Sequence, residues 1–475
     1  MIHQFKQNGY DIVLDVNSGS VHVVDDIAYD AIALYNDKII EHHISEEEAL
    51  PSIKSEIRSR YSDVSDDDFD ELIGEIKELR NDGQLFTEDI YEKFVRDFKN
   101  RITVTKALCL NVAHDCNLAC RYCFAGQGEY QGDRALMSYE TGKAALDFLI
   151  EHSGKRRNLE VDFFGGEPLM NWEVVKKLVA YGRSQEKEKN KNFRFTITTN
   201  GLLLNDEIID FCNKEMTNVV LSIDGRREVN DRMRPTRNGN GSSYDIILPK
   251  YKDFAKKRGD REYYLRGTFT HYNLDFAEDV LHLADMGFKE LSMEPVVALP
   301  SDPYAIKEED VPVLIEQYDK LAKEYVKRRK DGRGFTFFHF MIDLSGGPCV
   351  AKRLAGCGSG TEYLAVTPWG DLYPCHQFVG EEKFVLGNVW DGITNTEVQE
   401  GFKHQNVYEK PKCRDCFARY YCSGGCAANS YKFHGTIDDA YDIGCELQRK
   451  RIECAIMIKA ALDEDADEAE EAEQA

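Results

Sequence analysis

Cys116, Cys120 and Cys123 stand at C-x3-C-x2-C spacing in the run HDCNLACRYCF. Three thiolates so placed can ligate three irons of a four-iron cluster, which normally takes four cysteines. One iron is then left for a ligand that the loop does not supply, typically a small molecule. The competing chemistry is a zinc knuckle. A larger constellation follows: Cys357 and Cys375 in CGSGTEYLAVTPWGDLYPC, then Cys413, Cys416, Cys422 and Cys426 at C-x2-C-x5-C-x3-C spacing, then Cys445. A zinc ribbon accounts for the C-x2-C pair but not for seven cysteines in this order. Cys109, Cys212 and Cys454 lie in apolar strand or helix patterns and read as small buried hydrophobes.

These residues need elements to hold them, and 475 residues suffice for two or three domains. With 60 basic and 84 acidic side chains the formal charge is −24, which argues against nucleic acid as a partner, because phosphate binders concentrate Lys and Arg. Part of the charge is local. The end LDEDADEAEEAEQA, 462–475, has almost nothing to bury and is expected to be a disordered acidic tail. No apolar run approaches the roughly 20 residues that span a bilayer, and the start MIHQFKQNGYD lacks a signal segment. The expectation is a cytoplasmic protein without membrane contact, whose 14 cysteines are metal ligands rather than disulfides.

Residues 1–90 open with YDIVLDV and VHVVDD around Asn17-Ser18-Gly19-Ser20, the pattern of a β-hairpin, followed by helical periodicity in AYDAIALY and DDDFDELIGEIKELRNDG. From 100 to 330, six apolar runs alternate with amphipathic ones: ALCLNV, LEVDFF, FRFTIT, NVVLSI, YYLRGTF and ELSMEPV. Such alternation predicts parallel strands with crossover helices, an α/β fold closing part of a barrel as (β/α)6. From 345 to 450 glycine and cysteine rise and strands shorten, which suits a small domain folded around metal.

Nearly every polar motif falls at the C-terminal end of a predicted strand, the rim where barrels of this kind carry their sites. The cysteine loop follows the first strand. Gly165-Gly166-Glu167-Pro168 ends the second, Thr198-Thr199-Asn200-Gly201 the third, and Ser222 and Asp224 the fourth. Arg266 lies in the fifth and Glu294 ends the sixth. A glycine pair lets backbone approach a ligand closely, and a guanidinium can grip a carboxylate in bidentate fashion, although Arg266 and Glu294 also suit structural ion pairs. Each short polar run alone is often a turn or a cap. Their recurrence after successive strands is not explained by turns.

The triplet with Tyr122 before its last cysteine, the GGEP run and the order of polar motifs resemble the radical S-adenosylmethionine (radical SAM) enzymes. The resemblance implies that SAM chelates the open iron and is cleaved by one electron to a 5′-deoxyadenosyl radical. It further implies that Gly165, Gly166 and Glu167 meet the SAM ammonium, that Thr198, Asn200, Ser222 and Asp224 suit the ribose, and that Arg266 holds the carboxylate. Tyr122 and Phe124 suit a place flanking the cluster, a stack on adenine or, equally, the core. The seven later cysteines resemble the SPASM domain, which implies two auxiliary four-iron clusters, for three [4Fe-4S] clusters in all. Cys413, Cys416, Cys422 and Cys445 would complete one; Cys357, Cys375 and Cys426 would hold the other, with Cys349 or a substrate sulfur at its last iron.

Residues 1–90 resemble the winged-helix-like peptide-recognition domains that precede peptide-modifying enzymes, which implies a leader added as a strand to a sheet edge. The opening MIHQFKQNGYDIVLDVNSGSVHVVDDIAYDAI and the stretch CVAKRLAGCGSGTEYLAVTPWGDLYPCHQFVGEEKFVLGNV resemble the maturases of SCIFF peptides (six cysteines in forty-five residues). That likeness implies thioether crosslinks from cysteine sulfur to carbon in a Cys-rich precursor peptide, with electrons from a low-potential donor such as flavodoxin or ferredoxin. The alternatives are a sulfatase-maturating type of radical SAM enzyme and an iron–sulfur electron carrier that never cleaves SAM.

Overall fold

The computed structural model describes residues 1–98, 100–239, 241–344 and 350–474, with the side chains of 96–98, 350–351 and 464–474 outside the description. The chain begins as a three-stranded antiparallel sheet in the order β1-β2-β3, from β1 (Ile2–Gln7), β2 (Tyr10–Asp15) and β3 (Val21–Val24). The turn into β3 is fixed by the Asp15 carboxylate, which accepts from the backbone N–H of Asn17 at 3.2 Å and of Ser18 at 2.9 Å. Three helices follow, Asp26–Tyr35, Glu46–Arg60 and Asp66–Asn81, N-capped by Asp25, Ser45 and Ser65. Ile32, Tyr35, Ile53, Ile57, Ile73 and Ile76 fill the core against Val13.

Two of these elements are absent from the sequence-based expectation. β1 is mostly polar. Helix Glu46–Arg60 carries Pro51 inside it, a residue that costs a helix about 3 kcal/mol; burial of Ala49, Ile53 and Ile57 on one stripe outweighs that cost.

All six expected parallel strands form: β4 (Ala107–Ala113), β5 (Asn158–Gly165), β6 (Asn192–Thr199), β7 (Met216–Ser222), β8 (Tyr264–Phe269) and β9 (Glu290–Pro295). They pair in sequence order. Crossover helices Tyr139–His152, Trp172–Lys189, Asp206–Glu215, Ser243–Arg258 and Phe276–Asp285 cover the outer face. Period-two alternation sets each strand's faces: on β6, Phe193, Phe195 and Ile197 are buried in the main core, and half-buried Thr196 and Thr198 take the opposite face.

The sheet does not stop at six strands. β10 (Thr336–Phe337) adds in parallel beside β9. On the other side β11 (Tyr363–Val366) pairs in parallel with β4, and β12 (Asp371–Tyr373), β13 (Gly387–Asn388) and β14 (Gly392–Ile393) continue it in antiparallel fashion to eleven strands. The Cys-rich segment therefore grows from the barrel's own sheet, and Leu364, Val366, Leu372 and Leu386 share the barrel's core.

The last helix, Asp442–Gln474, runs against helix Val311–Lys330 and reaches β1, where Glu453 meets His3 at 2.9 Å. Its final turns occupy the acidic end for which a disordered tail is expected. Ala and Glu dominate there, and both favour helix without any packing.

Candidate active site

β4 is buried along all seven residues and delivers the chain to the barrel rim at Ala113. The cysteine loop beyond it is tied from several sides. Asp115 accepts from the backbone N–H of Cys116 at 2.9 Å, from Arg237 at 2.7 Å and from Arg134 at 3.0 Å. Arg237 also donates to the Cys116 carbonyl at 2.7 Å. Segment 233–237 runs antiparallel to the loop: Ala119 N–H donates to Pro235 O, Arg121 N–H to Met233 O, and Leu118 bridges Thr236. The thiols of Cys116, Cys120 and Cys123 lie within reach of one another's charge, and burial pushes Cys116 up to about 12 and Cys120 up to about 11.

The GGEP run closes on this loop. Gly165 adopts φ 130°, and a Cβ there would stand 2.3 Å from the Ala113 carbonyl oxygen; a Cβ on Gly166 would stand 2.1 Å from that of Asp115. The close approach for which these glycines are needed is thus to the chain's own cysteine loop, not only to a ligand. Glu167 is buried and accepts from the Thr199 hydroxyl at 2.7 Å, from Asn200 N–H at 2.8 Å and from Leu169 N–H at 3.0 Å. It locks the ends of β5 and β6 together. Asn200 in turn donates to the Asn117 side chain at 2.7 Å and lies 3.6 Å from the Cys116 sulfur.

Asp224 departs from expectation. It is fully buried and accepts from the Tyr122 hydroxyl at 2.6 Å and from Thr268 N–H at 3.0 Å, with Arg234 3.7 Å away. Burial raises it to about 6. Arg234, itself buried, donates to the Tyr122 hydroxyl at 2.9 Å. Asp224 and Tyr122 therefore brace the cysteine loop from behind, and their polar atoms are committed inside the protein rather than offered to a ribose.

Thr198 and Ser222 are half-buried. Arg266 is half exposed, and its partner Glu294 is 3.9 Å away. Burial would raise Glu294, but His339, Arg451 and Arg266 bring it down to about 2. The ion pair foreseen for Glu294 is formed, with Arg451 reaching in from the C-terminal helix at 3.6 Å. Phe124 is 47% exposed at the rim, so it is no core residue.

The later cysteines gather in two sets. Cys375 feels Cys426 and Cys357, and Cys445 feels Cys422, Cys413 and Cys416. Cys349 lies outside the described residues. Every described cysteine is a free thiol; Cys109, Cys212 and Cys454 are buried, and Cys109 shares a core cluster with Cys375. Among the described residues no three of His, Cys, Asp or Glu are placed to hold a single metal ion.

The Cys-rich segment also caps the rim. The His376 ring, next to Cys375, meets Phe164 at 4.9 Å and Phe124 at 5.5 Å, and accepts or donates at 3.0 Å to the Tyr363 hydroxyl. Trp369 stands edge-on to His114 at 5.2 Å. His376, Trp369, Arg234, Arg237 and Asp115 were not singled out from sequence. The run RMRPTR just after SIDG is the available signal for the arginines; nothing local marks the others.

The sequence matches the Radical SAM superfamily over residues 110–284 and the SPASM iron–sulfur cluster-binding domain over 357–417. The chain carries a radical SAM domain followed by a SPASM domain. Iron–sulfur clusters and SAM are the cofactors these domains imply. Among curated proteins it is 22% identical over 429 residues to the radical SAM cyclopropyl synthase TigE of Paramaledivibacter caminithermalis, covering 83% of this chain and 84% of that one. Among solved structures, anSMEcpe with bound AdoMet superposes with TM-score 0.63 at 20% identity, over 76% of this chain and 96% of that one. Streptococcus suis SuiB bound to precursor peptide SuiA gives TM-score 0.52 at 16% identity, over 94% and 98%. These superpositions show the fold, a partial barrel of parallel strands with a SPASM extension. No helix among the described residues is long and apolar enough to cross a membrane.

Proposed function

We propose that this protein is a cytoplasmic radical SAM peptide maturase that installs thioether crosslinks in a Cys-rich precursor peptide. The observation that carries this reading is the division of ten described cysteines into three sets, two of which meet through Cys375, His376, Phe124 and Cys123 at the barrel rim. When bound, the first cluster and SAM supply a 5′-deoxyadenosyl radical, which can remove hydrogen from an unactivated carbon. The chain's own residues place and shield. Thr198, Ser222 and Arg266 remain available to bind SAM at the strand ends, while Phe124, Phe164 and His376 form an aromatic wall that excludes water between the two sets. Cys357, Cys375 and Cys426 hold the site at which a substrate thiol would be fixed.

The leader would add to β3. That strand pairs only with β2 among the described residues, and Val23 on it is 51% exposed, so its outer backbone groups can take another strand. The SuiB and TigE likenesses cover 94% and 83% of the chain, whereas that to anSMEcpe covers 76%. That difference favours a leader-guided peptide over a sulfatase as substrate.

The test is anaerobic reconstitution with iron and sulfide, reduction by dithionite, and addition of SAM with a leader-bearing Cys-rich peptide. Expected are 5′-deoxyadenosine and a peptide that has lost two hydrogens and one alkylatable thiol per crosslink. Formylglycine in a sulfatase peptide, with no change in the Cys-rich one, would support the sulfatase-maturating alternative; absence of 5′-deoxyadenosine would support an electron carrier.

A further inference from the structure

The loop Cys422-Ser423-Gly424-Gly425-Cys426 joins the two auxiliary thiol sets, one cysteine belonging to each. A lysine is inserted against this joint. Lys410 is 3% exposed, donates from Nζ to the Gly424 carbonyl at 3.0 Å, and lays its stem within 3.8 Å of where a Gly424 Cβ would stand. Its own carbonyl accepts from Cys413 N–H at 2.9 Å, so the residue is anchored at one end to the four-cysteine set and at the other to the joint. It shares a small cavity with Cys357 of the three-cysteine set. Among the described residues no carboxylate is hydrogen-bonded to the ammonium, which is unusual for a buried lysine, since buried charges are normally paired. Burial pushes Lys410 down, and Cys413, Cys426, Cys422 and the more weakly felt carboxylate of Asp438 pull it back up.

We propose that Lys410 is a positioning residue that serves both auxiliary sites at once: its ammonium is the counter-charge shared by two anionic iron–sulfur centres, making each easier to reduce and coupling their charge states. The inference rests on the reading that these thiols hold clusters. Reduction adds one negative charge to a cluster, and a cation buried in a low-dielectric joint favours the reduced state of whichever cluster takes the electron.

The test uses full-length reconstituted protein carrying Cys116→Ala, Cys120→Ala and Cys123→Ala, so that only auxiliary signals remain in an EPR-monitored redox titration. In this background Lys410→Met is expected to lower the reduction equilibrium constant of both auxiliary clusters at least tenfold, 59 mV for one electron. Lys410→Arg is expected to restore most of the shift. Should Lys410→Met bind less iron, Lys410→Gln, whose amide can still donate to Gly424 O, is titrated in its place with the same expectation. Unchanged potentials at normal iron content, or movement of one cluster alone, overturns the inference. If the parent protein shows no auxiliary iron–sulfur signal, the cluster assignment fails instead, and the two failures are told apart by that parent titration.

Discussion

The three-cysteine loop and the segment 413–422, which carries Cys413, Cys416 and Cys422 of the four-cysteine set, are held in opposite ways. The first is gripped by its own barrel: Asp115, Arg237, Asn200 and the glycines of β5 all come from strand ends or from segment 233–237, and Tyr122 is braced on Asp224 and Arg234. The second is gripped from outside by the start of the chain. His3 of β1 stacks on Phe417 with ring centroids 3.5 Å apart, Asn17 accepts from Arg419 at 2.7 Å, and Asp89 accepts from Arg419 and from the hydroxyls of Tyr408 and Tyr420 at 2.8–2.9 Å. The N-terminal module proposed to bind a leader thus packs against the segment that carries Cys413, Cys416 and Cys422.

The sharpest break of this contrast is the triple change Cys116→Ala, Cys120→Ala, Cys123→Ala, which should abolish 5′-deoxyadenosine while iron at the SPASM cysteines persists; chromatography and iron analysis read both. Deletion of residues 1–90 should do the converse. Leader-dependent peptide turnover is lost and iron content falls by one cluster, yet SAM cleavage survives; full iron retention would show that the N-terminal wall is dispensable.

Smaller changes refine the comparison. Asp89→Asn leaves the buried Arg419 guanidinium without its carboxylate and should cost on the order of 2 kcal/mol, seen as a lower Tm and faster loss of iron from the four-cysteine site alone. Tyr122→Phe removes two buried hydrogen bonds, one donated to Asp224 and one accepted from Arg234, each worth about 1 kcal/mol, and should slow SAM cleavage while sparing auxiliary signals. The smallest effect concerns pH. Burial raises Asp162, on β5, to about 7 despite Arg266. Its folded value lies above its unfolded one, so the native state binds the extra proton and stability falls as pH rises from about 4 through 7. Asp162→Asn should flatten that decline in a Tm-versus-pH series.

The barrel was legible because its six strands are short apolar or alternating runs separated by amphipathic helices, with the polar motifs following their C-terminal ends, a pattern that needs no knowledge of distant partners. The division of the later cysteines into sets does not follow from spacing, which would group Cys426 with Cys413, Cys416 and Cys422; it is what the resemblance to the SPASM domain implies. What sequence hid is non-local. Asp224 looks like a ligand contact in SIDG, but Tyr122 and Thr268 claim its oxygens. Arg234 and Arg237 become parts of the site only because segment 233–237 folds back on the cysteine loop. β1, and the docking of His3 on Phe417, join residues at opposite ends of the chain, where no local periodicity exists. Helix Glu46–Arg60 was masked by Pro51, a local signal overruled by burial.

β11 is laced to β4 from Tyr363 opposite Ala107 to Val366 opposite Leu110. The strand that launches the first thiols and the ribbon that leads to Cys375 are therefore one sheet, spaced by main-chain hydrogen bonds that no side-chain change can relax. For any peptide laid between the two sites this works as a fixed gauge: the loop of residues enclosed by a bond made there would be measured by the enzyme's architecture and not by the peptide's own sequence.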